Sequence, residues 1–450
     1  MNTLRRYLFT TFLALSCAQS IAAVAKPNII LIMADDFGYE CVTANGGQSY
    51  KTPNLDRLAA AGMRFEQCHV QPLCTPTRVQ LMTGLYNVRN YINFGTLMRS
   101  EITFGQLLKK QGYTTAVCGK WQLGNEPDSP QHFGFDESLL WQHTRRPPRY
   151  ANPGLELNGV DKEYPKGSYG PKIINDFALD FVTRNQKKTF FLYYPMILTH
   201  DPFQPTPDSP DWDPNAGDRD HRDVKHFADM TEYMDKMVGR LDAKLGELGI
   251  RDNTLLLFVG DNGTHSSVTS RFKGADFQGG KGSTTRRGNH VPFIASWPAV
   301  MKQGRISQDL ISAVDFLPTI CGAAGAPLPK NCDGVSFLPQ LRGEKGTPRE
   351  WIYSWYSPRQ RLDLTVREFA FDHDYKLYRT GRFFDLTADP FEEKPLELSA
   401  LEGAQSRAAK KLQAVLDQFK DARPVKLDRQ FEASMKDVQS GEKKGRKKNK

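Results

Sequence analysis

Apolar residues along the chain fall into two patterns. Short unbroken runs, NIILIMADD (28–36), TTAVCGKW (114–121), FFLYYPMILTH (190–200) and TLLLFVGDNG (254–263), each close on polar residues. A run of this length without alternation has no side reserved for water, which predicts a strand buried on both faces of a parallel sheet. Between the runs, apolar positions recur at helical spacing over 172–186 and over about 223–248, where Phe227, Met230, Met234, Met237, Leu241 and Leu245 share a face. A further helix is predicted from Pro53, with Thr52 as its capping residue and Gly62 as its stop, and another ends at Gly112. Strands alternating with helices predict an α/β fold, an open sheet covered on both faces.

The pattern changes after about residue 345. WIYSWYSP and LTVREFAFDHDYKLYRTGRFFDLTADP read as short alternating strands with turns, and SALEGAQSRAAKKLQAVLDQFK reads as a helix. This predicts a small antiparallel sheet closed by a C-terminal helix. No internal repeat has a fixed period.

The two ends stand apart. Residues 1–25 carry Arg5 and Arg6, an apolar stretch and small residues ending in Ala23, Val24 and Ala25, the layout of a secretory signal cleaved after Ala25. No later stretch reaches the ~18 apolar residues of a membrane span. The expected organisation is a signal at 1–25, a catalytic domain at 26–345, an antiparallel-sheet subdomain with its helix at 346–425 and a basic, disordered tail at 426–450. The formal charge is +9, yet the final GEKKGRKKNK contributes six Lys or Arg against one Glu. The excess is therefore largely a solvated end or an anchor for an acidic polysaccharide, and it gives no reason to expect nucleic acid. Export permits disulfides, and Cys321 with Cys332 bracket a short loop that one could staple.

In open α/β sheets ligands bind beyond the carboxyl ends of the strands. The four runs deliver Asp35 and Asp36, Lys120, His200, and Asp261 with Asn262 to those ends. The oxygen ligands Asp35, Asp36, Asp261 and Asn262 make a hard-cation site, and calcium suits an exported protein. Adjacent Asp35 and Asp36 would repel each other strongly without such a cation. Arg78, Lys120 and Lys281 add positive charge, Lys281 within the Gly-rich GGKGST, so a tetrahedral oxyanion ester, phosphate or sulfate, is the expected substrate group. The nucleotide P-loop spacing GxxxxGK[ST] is absent. In VQPLCTPTRVQLMTG (70–84), Pro76 marks a first helical turn, which puts Cys74 at a helix N-terminus and predicts a thiolate-prone sulfur.

CTPTRVQLMTG, residues 74–84, resembles the sulfatase signature CxPSRxxLxTG, with Thr77 in place of Ser. The resemblance extends over about residues 26–400, through NIILIMADDFGY, GKWQLG, LTHDPFQP, VGDNG, GGKGSTTRRGNHVPFIASWPA and FFDLTADPFEEKPL. It implies an alkaline-phosphatase-like α/β fold, with a large mixed, mostly parallel sheet sandwiched by helices, plus a small C-terminal α+β subdomain. It further implies that a formylglycine-generating or anaerobic sulfatase-maturating enzyme converts Cys74 to formylglycine (3-oxoalanine), whose aldehyde hydrate is the nucleophile. One Ca2+ would be held by Asp35, Asp36, Asp261, Asn262 and residue 74. Arg78 and Lys120 would stabilise the hydrate, Lys281 and His200 would hold the sulfate, and His200 would protonate the leaving alcohol.

One position departs from the pattern: Gln122 stands where GKWHLG has His. Gln can hydrogen-bond the hydrate but cannot exchange a proton near neutral pH. His265 is a candidate substitute. The expected activity is that of a periplasmic or secreted sulfatase acting on a sulfated carbohydrate. Hydrolysis of phosphodiesters or phosphonate monoesters on the same scaffold, and a catalytically silent binder of sulfated glycans, are the alternatives.

Overall fold

All four predicted runs lie side by side at the centre of one ten-stranded sheet in the structure, a computed structural model that describes residues 26–215, 223–360 and 363–435. The predicted signal, and residues 436–450 of the predicted tail, lie outside the described residues, whereas residues 426–435 are helical rather than disordered, held by the buried Leu427 and Phe431. In chain order the strands of this sheet are β1 (Asn28–Ala34), β2 (Met63–His69), β3 (Thr114–Lys120), β4 (Glu137–Trp141), β5 (Leu155–Leu157), β6 (Val160–Lys162), β7 (Phe190–Pro195) and β8 (Thr254–Gly260). After a hairpin of β9 (Thr269–Phe272) and β10 (Ala275–Gln278), β11 (Phe293–Ser296) and β12 (Arg305–Ser312) complete it. The spatial order is β12-β2-β11-β8-β1-β7-β3-β4-β5-β6. Strands β8, β1, β7, β3 and β4 run parallel. β11 runs against both its neighbours, and β5 and β6 form an antiparallel edge.

Because successive side chains point to opposite faces, each central strand feeds two apolar layers. Ile29, Leu31, Met33, Tyr193, Leu257 and Val259 face one layer, built with the helices Cys74–Thr83, Phe104–Lys110 and Phe316–Ala324. Ile30, Ile32, Leu192, Tyr194, Leu256 and Phe258 face the other, built with the helices Pro53–Ala61, Gly170–Arg184 and His226–Glu247. Each such buried aliphatic side chain contributes about 1.5–3 kcal/mol relative to exposure.

The C-terminal region forms the antiparallel meander β13 (Ile352–Tyr356), β14 (Arg367–Phe371), β15 (Tyr375–Tyr378) and β16 (Phe383–Asp385). Tyr353, Trp355, Ala370 and Leu377 continue the first apolar layer, together with Leu412, Val415 and Leu416 of the helix Gly403–Gln418.

Two local expectations are corrected. Thr52 precedes the helix Pro53–Ala61, but its side chain makes no capping bond, because its hydroxyl instead accepts from Thr43 N at 2.9 Å. Cys321 and Cys332 are not joined, and all six cysteines among the described residues are free thiols. No described helix is long and apolar enough to cross a membrane.

Candidate active site

The register of the central strands builds the site. Ala34 of β1 pairs with Gly260 of β8, so Asp35 and Asp261 leave the sheet together. Asp36 follows with φ +59°, a left-handed conformation uncommon outside glycine, and its amide donates to Asp261 Oδ1 at 3.0 Å. On the other side, Gly119 of β3 has φ +124°, and a Cβ there would fall 1.8 Å from the Pro195 carbonyl oxygen. Only glycine lets β3 pass the end of β7 that closely and carry Lys120 to the rim.

Cys74 opens a helix whose ten residues are all buried, with Leu73 extended before it, Pro76 in the first turn and Gly84 closing it in the left-handed conformation. Thr77 keeps the hydroxyl of the Ser it replaces in use: it accepts from Gln71 N at 3.0 Å and donates to Gln71 O at 3.1 Å. Cys74 Sγ donates to Gln122 Oε1 at 2.9 Å, and Thr75 Oγ1 reaches the same oxygen at 3.3 Å. The expected thiolate is corrected. Burial pushes the Cys74 thiol up, and Asp261 and Asp35 add to this against Lys120 and Lys281. The field of one helix end does not offset full desolvation of a small anion beside carboxylates.

The structure brings together every predicted site residue. Lys120 Nζ lies 2.9 Å from both oxygens of Asp35. Arg78 donates to Asp261 Oδ2 at 3.2 Å and to the Lys120 carbonyl at 2.7 Å. Lys281 Nζ bridges Asp36 Oδ2 at 2.6 Å and His200 Nε2 at 3.0 Å. Asn262 Nδ2 donates to Asp36 Oδ1 at 2.8 Å. Arg78 and Lys120 thus spend their hydrogen bonds on the acidic residues and the backbone, and Gln122 is the hydrogen-bond partner of Cys74 Sγ. His265 has other partners: its Nδ1 meets Ser267 Oγ at 2.8 Å and its ring packs against Phe203. Sequence reasoning missed Asp201, whose Oδ1 sits 2.9 Å from His200 Nδ1; a carboxylate directly after the histidine was the available signal.

Charge in the cluster is uneven. Burial raises Asp35, but Lys120, His200, Arg78 and Lys281 outweigh it and hold this carboxyl well below the ordinary range. Asp36 is also held low, with His200 and Lys281 prevailing over burial and Asp35. Asp261 goes the other way: burial and the neighbouring Asp35 push it up to about 8 despite Arg78. A fully buried carboxyl beside two others, an Asn262 Oδ1 that is buried without a hydrogen-bond partner, and the close grouping of Asp35, Cys74 and Asp261 form a compact donor set. Hard oxygen donors of this kind fit a divalent calcium or magnesium ion.

Comparison with known proteins agrees with this geometry. The family model described as Sulfatase matches residues 27–326, and one described as N-sulphoglucosamine sulphohydrolase, C-terminal, matches residues 285–421. The chain is 33% identical to arylsulfatase A of Bos taurus, over 84% of this chain and 80% of that one. It is 30% identical to N-acetylgalactosamine-6-sulfatase of Canis lupus familiaris, over 87% and 86% of the two chains. The solved structure of Ps i-CgsB superposes with a TM-score of 0.75 at 27% identity, covering 89% of this chain and 94% of that one. Ps i-CgsB has also been solved in complex with k-i-k-neocarrahexaose.

Proposed function

The chain belongs to the sulfatase family, and from that premise we propose that this sulfatase hydrolyses sulfate esters of a carbohydrate, using a formylglycine made from Cys74 and a calcium ion held by Asp35, Asp36, Asp261 and Asn262 with residue 74. The observation that carries the proposal is the gathering of Cys74, four oxygen-donor residues, three cations and an imidazole around one point at the strand ends. A carbohydrate substrate is supported by the N-acetylgalactosamine-6-sulfatase relative and by the saccharide complex of Ps i-CgsB. Export to the periplasm or cell exterior, and maturation by a formylglycine-generating or anaerobic sulfatase-maturating enzyme, belong to the same reading.

When present, the formylglycine hydrate supplies an oxygen nucleophile and the cation neutralises charge on the sulfate oxygens. The remaining work falls to this chain's side chains. Lys281 Nζ, already 3.0 Å from His200 Nε2, presents its ammonium to the sulfate oxygens, where a preorganised cation acts most strongly in a dry site. Once Lys281 turns its ammonium from His200 Nε2 to the sulfate oxygens, a proton taken up from solvent at Nε2 passes to the sugar oxygen as its bond to sulfur breaks. The Asp201 carbonyl at 2.6 Å and its carboxylate at 2.9 Å both face Nδ1 and hold the ring in place, while burial lowers His200 against the pull of Asp36. Arg78 and Lys120 hold Asp261 and Asp35, so the cluster does not rearrange as charge moves.

Two measurements test the proposal. Mass spectrometry of the Cys74 peptide from the native host is expected to show the lighter, non-alkylatable formylglycine form; only alkylatable Cys74 would favour the silent binder. Parallel assays on aryl sulfate and aryl phosphodiester are expected to favour the sulfate, and a clear preference for the phosphodiester would move the enzyme to the phosphonate and phosphodiester hydrolases.

A further inference from the structure

The Lys281 loop is gripped from two directions. From the large sheet's side, Lys281 N donates to Thr264 O and Gly282 N to Pro72 O, each at 2.9 Å. From the C-terminal meander, Lys376 Nζ on β15 donates to the Thr284 carbonyl at 2.6 Å, and the Tyr378 hydroxyl lies 2.8 Å from Thr284 Oγ1. Asn289 Nδ2 reaches the same carbonyl at 2.9 Å.

Lys376 is an unusual residue to find there. It is 2% exposed, its ammonium lies 4.0 Å from the Phe369 ring centroid and 4.7 Å from that of Tyr378, and its acidic partner is Glu392, at 2.7 Å. The Tyr378 hydroxyl donates to the other oxygen of Glu392 at 2.5 Å. Burying an ammonium and a carboxylate costs several kcal/mol per ion, and apolar residues of similar volume would fill the aromatic cage without that cost. What an apolar residue could not supply is a charged donor aimed at Thr284 O.

We infer that Lys376 is a positioning residue for Lys281: held by Glu392 and Tyr378, its ammonium anchors the Thr284 carbonyl and thereby sets where Lys281 presents its own ammonium to Asp36, His200 and the sulfate ester. This rests on the role proposed above for Lys281. The C-terminal meander then has a part in catalysis through its grip on the Lys281 loop.

The anchor is sensitive to alkali. Burial lowers Lys376 to about 8, with Glu392 opposing and Arg286 and Arg382 adding to the fall. The charged and titratable groups facing it are Glu392, Tyr378 and Arg382 from its own unit, and Arg286 and His69 across the interface. Above about pH 8 the ammonium loses its proton, Glu392 loses its counter-ion and the grip on Thr284 slackens.

The test compares wild type with Lys376→Arg, Tyr378→Phe and the double variant Lys376→Met/Glu392→Gln, which leaves no orphaned buried charge. Two readouts are taken: kcat and KM on an aryl sulfate from neutral to alkaline pH, and hydrogen exchange of the segment 279–290. In the double variant, exchange is expected to quicken in that segment while the melting temperature changes little, and kcat/KM is expected to fall about 10- to 100-fold, the penalty typical of a displaced binding group. Tyr378→Phe, which removes only a hydroxyl, is expected to show the same changes in smaller measure and serves if the double variant does not fold. Lys376→Arg, which stays charged, is expected to shift the alkaline fall in activity to higher pH. Unchanged exchange and kcat/KM in the double variant, or an identical alkaline limb in Lys376→Arg, overturns the inference. If wild type hydrolyses no sulfate ester, the functional reading falls, while the exchange data still decide whether Lys376 positions the loop.

Discussion

Gln122 sits at φ +55° and turns its carbonyl oxygen onto Cys74 Sγ and Thr75 Oγ1. A non-glycine residue held in that region stores strain of order 1–3 kcal/mol, which persists where neighbours enforce it. Position 122 is thus a fixed acceptor for residue 74, but an amide takes up no proton near neutrality. Gln122→His is expected to raise kcat severalfold with little change in KM, because an imidazole there adds proton exchange to an existing contact; a rate at or below wild type would assign Gln122 a specialised role. Cys74→Ala is expected to abolish turnover and leave the circular dichroism spectrum and melting temperature close to wild type. Removal of divalent cations with a chelator is expected to abolish activity and lower the melting temperature, both restored by calcium, since Asp35, Asp36 and Asp261 are all 0% exposed. Most of this residue set could be read from the sequence, because each member closes an apolar run or occupies a signature position. The hydrogen-bond assignments could not, and neither could the raised Cys74 thiol, since desolvation depends on residues far away in the chain.

Helices and strands were legible wherever a pattern was long or two-sided. Thr52, Pro53 and Gly62 mark the ends of the helix Pro53–Ala61 correctly, yet its first amides are satisfied from another helix. Asp235, on the helix His226–Glu247, accepts from Asn54 N at 3.0 Å, from Asn54 Nδ2 at 2.5 Å and from Leu55 N at 2.8 Å. A carboxylate at a helix N-terminus satisfies orphan donors and complements the dipole. Asp235→Ala is expected to destabilise the protein by about 1–2 kcal/mol in urea unfolding, while Thr52→Ala has the smaller effect. Sequence analysis singled out none of β2, β4 and β12. β2, MRFEQCH, interleaves Arg, Glu and Gln with apolar residues, so it lacks the unbroken run that marks its central neighbours. Its place beside β11 and β12 depends on pairing with segments more than two hundred residues away.

Across the whole molecule, the interface around β2 carries a liability to acid. His69 and His290 stack with ring centroids 4.9 Å apart. Burial, then Arg286, drives His290 from 6.5 down to about 3, and burial with His290 and Arg286 also lowers His69. Both therefore stay neutral in the folded state and protonate on unfolding, so their contribution is fully present above about pH 6.5 and is lost as pH falls toward about 3. Unfolding free energy measured across that range is expected to decline with falling pH, and His290→Gln is expected to make the decline shallower; an unchanged slope would remove His290 from the account.

By itself, the sequence determined the fold class, the central strands, the residues at their ends and the family, because buried strands demand unbroken apolar runs and a modification signature tolerates little variation. Tertiary structure alone decided the rest: that Gln122 holds Cys74, that Asp201 backs His200, that Asp235 caps a distant helix and that Lys376 reaches over to the Lys281 loop. Each of these is a contact between residues far apart in the chain or dependent on how the backbone turns locally. Its geometry is set by strand register and helix packing, which leave no trace in local spacing.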